Sequence, residues 1–226
     1  SDAAIRYLMA ERVPFVLVAR RFDRSLSHAV LNDDFTGAYE AVCYLIEQGH
    51  RRILFVNGPP SNWSAVQRLN GYRQALEVNG IPFDPALVRA VEVTAPAAAQ
   101  AVADYLAEAE PPDAIFAFSD YMALGVIRTL RERGLRIPDD VSVMGYDGIE
   151  VGRLMDPSLS SVEIRKEELG IAATQLLLDL IDHPQQLDEP RQILLSPRLA
   201  IGKSTRIAAG LGAGTGTQRG GRAASA

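Results

Sequence analysis

Two small polar residues, Ser119 and Asp120, follow an apolar run in the stretch PDAIFAFSDYMALG, residues 112–125. The run Ala114–Phe118 predicts a buried strand, and a helical pattern begins directly after it. In open α/β sheets, ligands bind beyond the carboxyl ends of the strands and beside helix N-termini. Either side chain would also serve as a helix cap. We expect capping for Asp120, whereas for Ser119 both capping and ligand contact stay open.

A carboxylate occupies the same kind of position in SVMGYDG, residues 142–148. Asp147 follows the predicted strand Val141–Gly145. It is either a turn residue beside Gly148 or a ligand group that accepts hydrogen bonds from a polyol or an amine. The residues alone leave these two interpretations equal.

A polar loop follows the predicted strand Ile53–Asn57 and contains Asn62, Trp63 and Ser64, with Arg68 at the start of the next helix. An arginine donates two parallel hydrogen bonds and an indole offers a stacking face, so the loop suits a polar small molecule. The alternatives are a solvated arginine and a tryptophan that anchors the loop by packing.

No set of residues indicates catalysis. The chain lacks the G-x-S-x-G, G-x-x-x-x-G-K-[ST] and H-E-x-x-H motifs. The neighbours in Asp33-Asp34 and in Asp139-Asp140 point opposite ways in an extended segment, so neither pair forms an acid–base dyad. Three scattered histidines and one cysteine argue against a metal site. We therefore expect a binding protein without cofactor or metal, and not an enzyme.

Charge and hydropathy exclude further classes. The 226 residues carry a formal net charge of −5 and contain no Lys/Arg-rich block, so we do not expect this chain itself to bind DNA. No apolar stretch is long enough to cross a membrane, and we expect no secretion leader. The single cysteine favours a reducing, cytoplasmic setting. Because the chain opens with Ser1, a longer parent protein is an open possibility.

Short apolar runs alternate with amphipathic helical patterns, which predicts an α/β fold with parallel sheets flanked by helices. The predicted strands are Phe15–Ala19, Ala29–Leu31, Ile53–Asn57, Val91–Val93, Ala114–Phe118, Val141–Gly145, Ser161–Ile164 and Gln192–Leu195. A Gly-rich tail, residues 207–226, buries too little apolar surface to order itself, and we expect it to be disordered.

Several segments resemble, in order and spacing, the effector-binding domain of the LacI/GalR family of bacterial transcription regulators. They are VPFVLVAR, NDDFTGAYEAVCYLIEQGHRRILFVNGP, RLNGYRQAL, PDAIFAFSDYMALGVIRTLRERGLRIPDDVSVMGYDG and DPSLSSVEI. The likeness runs from about Ala4 to Thr205. One of these motifs would be a weak signal, but all of them in register over most of the chain make a strong one.

The resemblance implies a two-lobed, type I periplasmic-binding-protein-like fold with the effector in the cleft between the lobes. By this likeness the first lobe comprises residues 1–33 and 160–186 and is incomplete, and the second comprises residues 34–159 and 187–206. The strand Gln192–Leu195 is then expected in the second lobe. The DNA-binding headpiece of the family is not in this sequence.

The resemblance also assigns roles to individual residues. Its ligand-binding positions fall on Arg20, Asn62, Ser64, Arg68, Ser119 and Asp147. Its dimer interface falls on Leu124, Leu154 and Met155, for which ordinary core packing is the alternative. Ala19, Val93 and Gly148 depart from the family's pattern by lacking an acid, an aromatic ring and a second acid, which leaves the effector's identity open.

We therefore predict the effector-sensing domain of a dimeric transcriptional repressor, with a carbohydrate as the expected effector. Operator DNA would be reached only through a headpiece outside this chain, and no membrane partner is expected. The main alternative is the solute-binding protein of a sugar transporter, which shares the fold. An enzyme on a doubly wound sheet ranks last because the chain offers no nucleophile–base set.

Overall fold

The computed structural model describes residues 2–21 and 27–207. The helices are α1 (Asp2–Ala10), α2 (Asp34–Glu47), α3 (Trp63–Val78), α4 (Ala95–Glu108), α5 (Asp120–Glu132), α6 (Glu150–Leu154) and α7 (Lys166–Asp182). The strands are β1 (Leu17–Val18), β2 (Ala29–Asn32), β3 (Ile53–Asn57), β4 (Val88–Ala90), β5 (Ala114–Ala117), β6 (Ser142–Asp147), β7 (Ser160–Glu163), β8 (Gln192–Leu195) and β9 (Arg198–Ala200). Residues 208–226 of the predicted tail lie outside the described residues. The predicted α/β class is confirmed.

The larger sheet has six strands in the order β4-β3-β5-β6-β7-β9. All neighbours in it are parallel except β7 and β9, which are antiparallel. Side chains of a strand alternate between the two faces of a sheet. In β5, Ile115 and Ala117 therefore join the apolar cluster under α4 and α5, and Ala114 and Phe116 join the cluster under α2 and α3. Both faces of this sheet are covered.

Helix α5 shows why these elements form where they do. The Ser119 hydroxyl oxygen accepts a hydrogen bond from the Met122 backbone N–H at 3.2 Å and begins the helix. Val126 and Leu130 repeat the spacing of Met122 along the same face and are fully buried. The helix ends before Gly134, whose φ of +73° is the left-handed conformation that glycine adopts most readily.

The smaller sheet has three strands in the order β1-β2-β8, all parallel. Helix α7 covers one face of it, where Leu169, Leu176 and Leu180 pack against Val30 of β2. Residues in and after its strands β1 and β2 line one side of a cleft.

Strand pairing differs from expectation at two places. Gln192–Leu195, expected in the second lobe, pairs in parallel with β2 of the smaller sheet, because Ile193 and Leu195 of β8 pack against the cluster under α7. Ser160–Glu163, expected in the first lobe, pairs with β6 of the larger sheet. The lobe boundaries themselves stay a prediction.

One predicted strand is displaced along the chain, and one strand of the structure was not predicted. Val91–Val93 was predicted as a strand from its β-branched residues, but the strand is Val88–Ala90, which pairs with Phe55–Asn57. Glu92 and Val93, which follow soon after this strand, line the cleft. Strand β9 was not predicted, because three residues beginning with an exposed arginine give almost no strand pattern.

Candidate functional site

A cleft of about 1250 Å³ opens at the carboxyl ends of the strands of both sheets. The smaller sheet contributes Asn32 of β2 and the residues that follow β1, namely Ala19, Arg20 and Arg21, and Asp34 lies at the start of α2, which packs on the larger sheet. The larger sheet contributes the loop after β3, the Glu92–Thr94 segment, the end of β6 and Ile164 after β7. This is the place where parallel α/β sheets bind ligands.

Arg68 of α3 is buried at the floor of the cleft, with its side chain 5% exposed. Its Nε donates to the Asp34 Oδ1 at 2.9 Å, and its Nη2 lies 2.8 Å from the same oxygen. Its Nη1 donates to the backbone carbonyl of Phe118. The guanidinium also lies 3.5 Å from the ring centroid of Tyr146 and 4.3 Å from that of Phe118. Arg68 is therefore fixed by aromatic faces and an ion pair, and the solvated interpretation is wrong.

Asp147 stands at the end of β6 and points into the same cleft. Its Oδ1 is 4.0 Å from the Arg68 Nη2, which is an ion pair at the limit of contact. Burial raises the pKa of the Asp147 carboxyl to about 6, and the nearby Asp120 and Asp34 carboxylates also raise it, while Arg68 and Lys166 lower it. Asp147 is thus a partly buried carboxylate, 31% exposed, whose oxygens can accept hydrogen bonds at the cleft.

Sequence reasoning missed Asp34, which is central to the site. Asp34 is the first residue of α2 and is 7% exposed. Besides Arg68, it accepts a hydrogen bond from the Asn32 side-chain amide at 3.2 Å, and that amide also donates to the Tyr146 hydroxyl at 2.9 Å. A signal was available, since Asp34 follows β2 at a helix N-terminus. Sequence reasoning assigned Asp34 no ligand-binding role, and its neighbour Asp33 caps α2 by accepting from the Thr36 N–H at 3.0 Å.

The loop after β3 is arranged by its own hydrogen bonds. The Asn62 side chain caps α3 by accepting from the Ser64 N–H at 2.9 Å, and both residues line the cleft. The half-buried Trp63 lies under the Arg21 guanidinium, 4.6 Å from the ring centroid, at the side of the cleft formed by the smaller sheet. Arg20 is exposed on that same side. The structure thus brings Arg20, Asn62, Ser64, Arg68 and Asp147 together around one hollow.

Ser119 caps α5, which is one of the two roles left open for it, whereas Asp120, expected to be the cap, has other partners. Ser119 is the cap of α5, is 5% exposed, and is not among the described residues that form the cleft wall. The Asp120 carboxylate does not cap its own helix and reaches across to Ser161 and to the backbone of Ile149. Its burial raises its pKa, an effect that those two hydrogen bonds oppose. Ligand contact by Ser119 stays a prediction.

The residues predicted at a dimer interface have unequal surroundings. Leu154 of α6 is 78% exposed and Leu124 of α5 is partly buried. Met155 is partly buried and packs against the cluster under α4 and α5, which is the core role weighed as the alternative. Tyr121 and Val151 on the same two helices are 58% and 50% exposed. These helices therefore present an apolar surface.

Within the described residues, 2–21 and 27–207, no group of three or more His, Cys, Asp or Glu side chains could hold a metal ion. Nor does this part of the chain form a helix with the length and apolarity that a membrane crossing needs.

Known proteins resemble this chain over most of its length. A family model described as a periplasmic binding protein-like domain matches residues 42–205. The HTH-type transcriptional repressor CytR of Escherichia coli (strain K12) is 37% identical over 168 residues, which cover 74% of this chain and 49% of that protein. The HTH-type transcriptional regulator CelR of Thermobifida fusca is 37% identical over 172 residues, covering 76% and 50%. The chain spans about half the length of these curated relatives.

Solved structures give the same picture. A CelR–cellobiose complex superposes with a TM-score of 0.82 at 35% identity, covering 88% of this chain and 61% of that one. A LacI family transcriptional regulator from Enterococcus faecium with bound ribose superposes with a TM-score of 0.79 at 30% identity, covering 91% and 75%.

Proposed function

Because the chain belongs to the periplasmic binding protein-like domain family, as an effector-binding domain of the LacI type, we propose that it senses a small polar effector for a dimeric transcriptional repressor. The observation that carries this proposal is the convergence of Arg68, Asp34 and Asp147 at the floor of one large cleft. The proposed ligand set is the predicted one, Arg20, Asn62, Ser64, Arg68, Ser119 and Asp147, with Asp34 added.

A carbohydrate is the effector class that suits these groups best. Asp147 accepts hydrogen bonds from hydroxyls, Arg68 and Asn62 donate them, and Trp63 offers an aromatic face for the apolar side of a sugar ring. Two similar regulators are described with cellobiose and with ribose bound. The similar proteins are transcription regulators and not transporter components, so the solute-binding alternative is set aside.

The proposed switch is a change in the relative orientation of the two sheets. A ligand that contacts Arg20 on one side and Asp147 on the other binds the closed cleft better than the open one, and this difference in affinity shifts the population. Moving the equilibrium from mostly open to mostly closed requires a preference of about 5 kcal/mol. In the whole regulator, located in the cytoplasm, this closure would change the spacing of two DNA-binding headpieces.

A thermal-shift screen of aldoses, disaccharides and nucleobases tests the effector proposal. We expect at least one sugar to raise the melting temperature, because a ligand that binds only the folded state stabilises it. The Arg68→Met variant, which keeps the length of the side chain, should lose that shift, and the exposed-residue control Arg128→Met should keep it. The proposal fails if no sugar stabilises the protein, or if Arg68→Met responds like the unchanged chain.

We further propose that α5 and α6 form the dimer interface, with Leu124, Leu154 and Met155 as predicted. A lysine at position 154 would bring an uncompensated charge into an apolar contact. Leu154→Lys should therefore convert dimers to monomers in light scattering, and the matched change Val78→Lys on α3, also at an exposed site, should not. A Leu154→Lys protein that stays dimeric places the interface elsewhere.

A further inference from the structure

The carboxylate of Asp147 is carried by a strained turn. Asp147 has a φ of +107° and the next residue, Gly148, has a φ of +62°. A residue with a Cβ adopts positive φ at a cost of about 1–3 kcal/mol, and such a conformation persists only where surrounding contacts hold it. The contacts that hold this turn are therefore part of the site.

Two buried side chains hold the turn. The Ile149 backbone N–H donates to the Asp120 Oδ2 at 2.7 Å. The Gly148 backbone N–H donates to the Ser161 Oγ at 3.2 Å, and that hydroxyl in turn donates to the Asp120 Oδ1 at 2.6 Å. Both N–H groups that follow Asp147 in the chain thus end, directly or through Ser161, on one carboxylate.

The position of Asp120 is not explained by the capping of its own helix. Ser119 already accepts the hydrogen bond that caps α5, and Asp120 is 1% exposed, so its charge is costly to bury. Strand β6 makes room for it, since a Cβ built at Gly145 would lie 2.2 Å from the Asp120 Oδ1. Asp120 is thus a buried ionisable group that does not cap its own helix and is accommodated by a glycine on β6. Its hydrogen bonds to other elements must explain its position.

We propose that Asp120, acting through Ser161 and Ile149, is a positioning residue that aims the Asp147 carboxylate into the cleft. It makes no contact with the effector itself. This inference rests on the proposed function, because it assigns Asp147 as the effector's acceptor. It adds that the geometry of that acceptor is set by a carboxylate on α5 and a hydroxyl on β7.

The decisive variant is Ser161→Ala, which removes the hydroxyl between Gly148 and Asp120 without changing any charge. We expect the turn to relax and the Asp147 carboxyl to become better solvated, so its pKa should fall from about 6 toward its ordinary value of 3.8 in a carbon-13 NMR titration. Ser161→Thr retains a hydroxyl and should restore the original titration. Asp120→Ala should have the same direction of effect, although it also removes a charge that raises the Asp147 pKa.

Ser160→Ala is a matched control from the adjacent position. The Ser160 hydroxyl is equally buried, but it bonds the Thr205 hydroxyl at 2.7 Å, away from the turn. This change should cost a similar amount of stability and leave the Asp147 titration where it was. A general loosening of the sheet would move both variants alike, and that result would overturn the proposal.

Ligand binding provides the second measurement. Calorimetric titration with ribose and with cellobiose should show the dissociation constant rising about tenfold or more in Ser161→Ala and remaining within twofold in Ser160→Ala and Ser161→Thr. If neither sugar binds the unchanged protein, the proposed carbohydrate effector fails, while the NMR titration still decides the role of Asp120. An Asp147 titration that is identical in Ser161→Ala and the unchanged protein refutes the positioning role.

Discussion

The two sheets of this domain differ in how they are covered. The six-stranded sheet has helices on both faces and two apolar clusters, and most of its strand residues are fully buried. The three-stranded sheet has one small cluster, under α7, and Val18 and Leu194 of its edge strands are 46% and 55% exposed. Hydrophobic stabilisation follows the apolar area removed from water, so the larger sheet should carry most of the fold's stability.

The comparison also concerns function. Arg68, Asp147 and the residues that hold them belong to the well-covered region, whereas Arg20 and Arg21 belong to the thinly covered one. A better-packed half that presents the proposed binding groups, facing a less covered half, suits the cleft closure that we propose.

The largest effect is expected from Phe116→Ala in the central strand β5. Phe116 is fully buried and its ring centroid lies 4.8 Å from that of Phe55. Deleting a buried phenylalanine side chain costs about 3–5 kcal/mol. Urea denaturation should report that loss, and a decrease below about 1 kcal/mol would mean that this sheet is not the main core.

A smaller loss is expected from Leu180→Ala in α7. Leu180 is fully buried, but the cluster around it is small and lies beside exposed Leu178 and Ile181, so the cavity can collapse. We expect about 2 kcal/mol, the low end for a leucine truncation. Leu178→Ala on the same helix is the control and should change the free energy of unfolding by less than about 0.5 kcal/mol. A Leu180→Ala loss as large as that of Phe116→Ala would remove the distinction between the two sheets.

The protonation of Asp147 should affect ligand binding and the free energy of unfolding in different ways. The groups around Asp147 are Arg68 on α3, Asp120 on α5, Lys166 on α7 and Asp34 on α2, and burial is the main reason why its pKa is raised to about 6. Protonation removes the acceptor, so sugar affinity should fall roughly tenfold between pH 7 and pH 5.

The protonation of Asp147 changes the free energy of unfolding in the opposite direction to the sugar affinity. Because the pKa of Asp147 is higher in the folded state than its ordinary value of 3.8, its contribution to the free energy of unfolding is present below pH 3.8 and is lost as the pH rises through about 6. Calorimetry of binding and urea denaturation over pH 4–7 should show these two trends, and Asp147→Asn should flatten both. Affinity that is constant from pH 5 to pH 7 would remove Asp147 from the set of acceptors.

The smallest effect is expected from Arg12→Ala, at the edge of the three-stranded sheet. Its guanidinium lies 3.0 Å from the Asp188 carboxylate, but the side chains are 59% and 72% exposed. Exposed ion pairs contribute about 0–1 kcal/mol. A measured loss above about 2 kcal/mol would show that surface charges compensate for the small core of this region.

Prediction from the sequence succeeded for strands that are marked by the residue types within the strand itself. The strands Ile53–Asn57 and Gln192–Leu195 were predicted with the boundaries that the structure has, because runs of β-branched and aliphatic residues mark them. The position of Asp147 at a strand end was likewise visible in SVMGYDG. The strand that pairs with Gln192–Leu195 was not visible in the sequence. An apolar strand can pair equally well with several others, and the pairing depends on where the intervening helix packs.

The sequence by itself determined the α/β class and the polar residues placed after the strands. Only the tertiary structure decided that Arg68 pairs with Asp34 across two helices and that Asp120 serves the turn of Asp147 instead of its own helix. The physical reason is distance along the chain. Helix caps and strands depend on residues that are close in the sequence. The partner of a buried charged group is instead a group that the packing of helices and strands brings within about 3 Å of it.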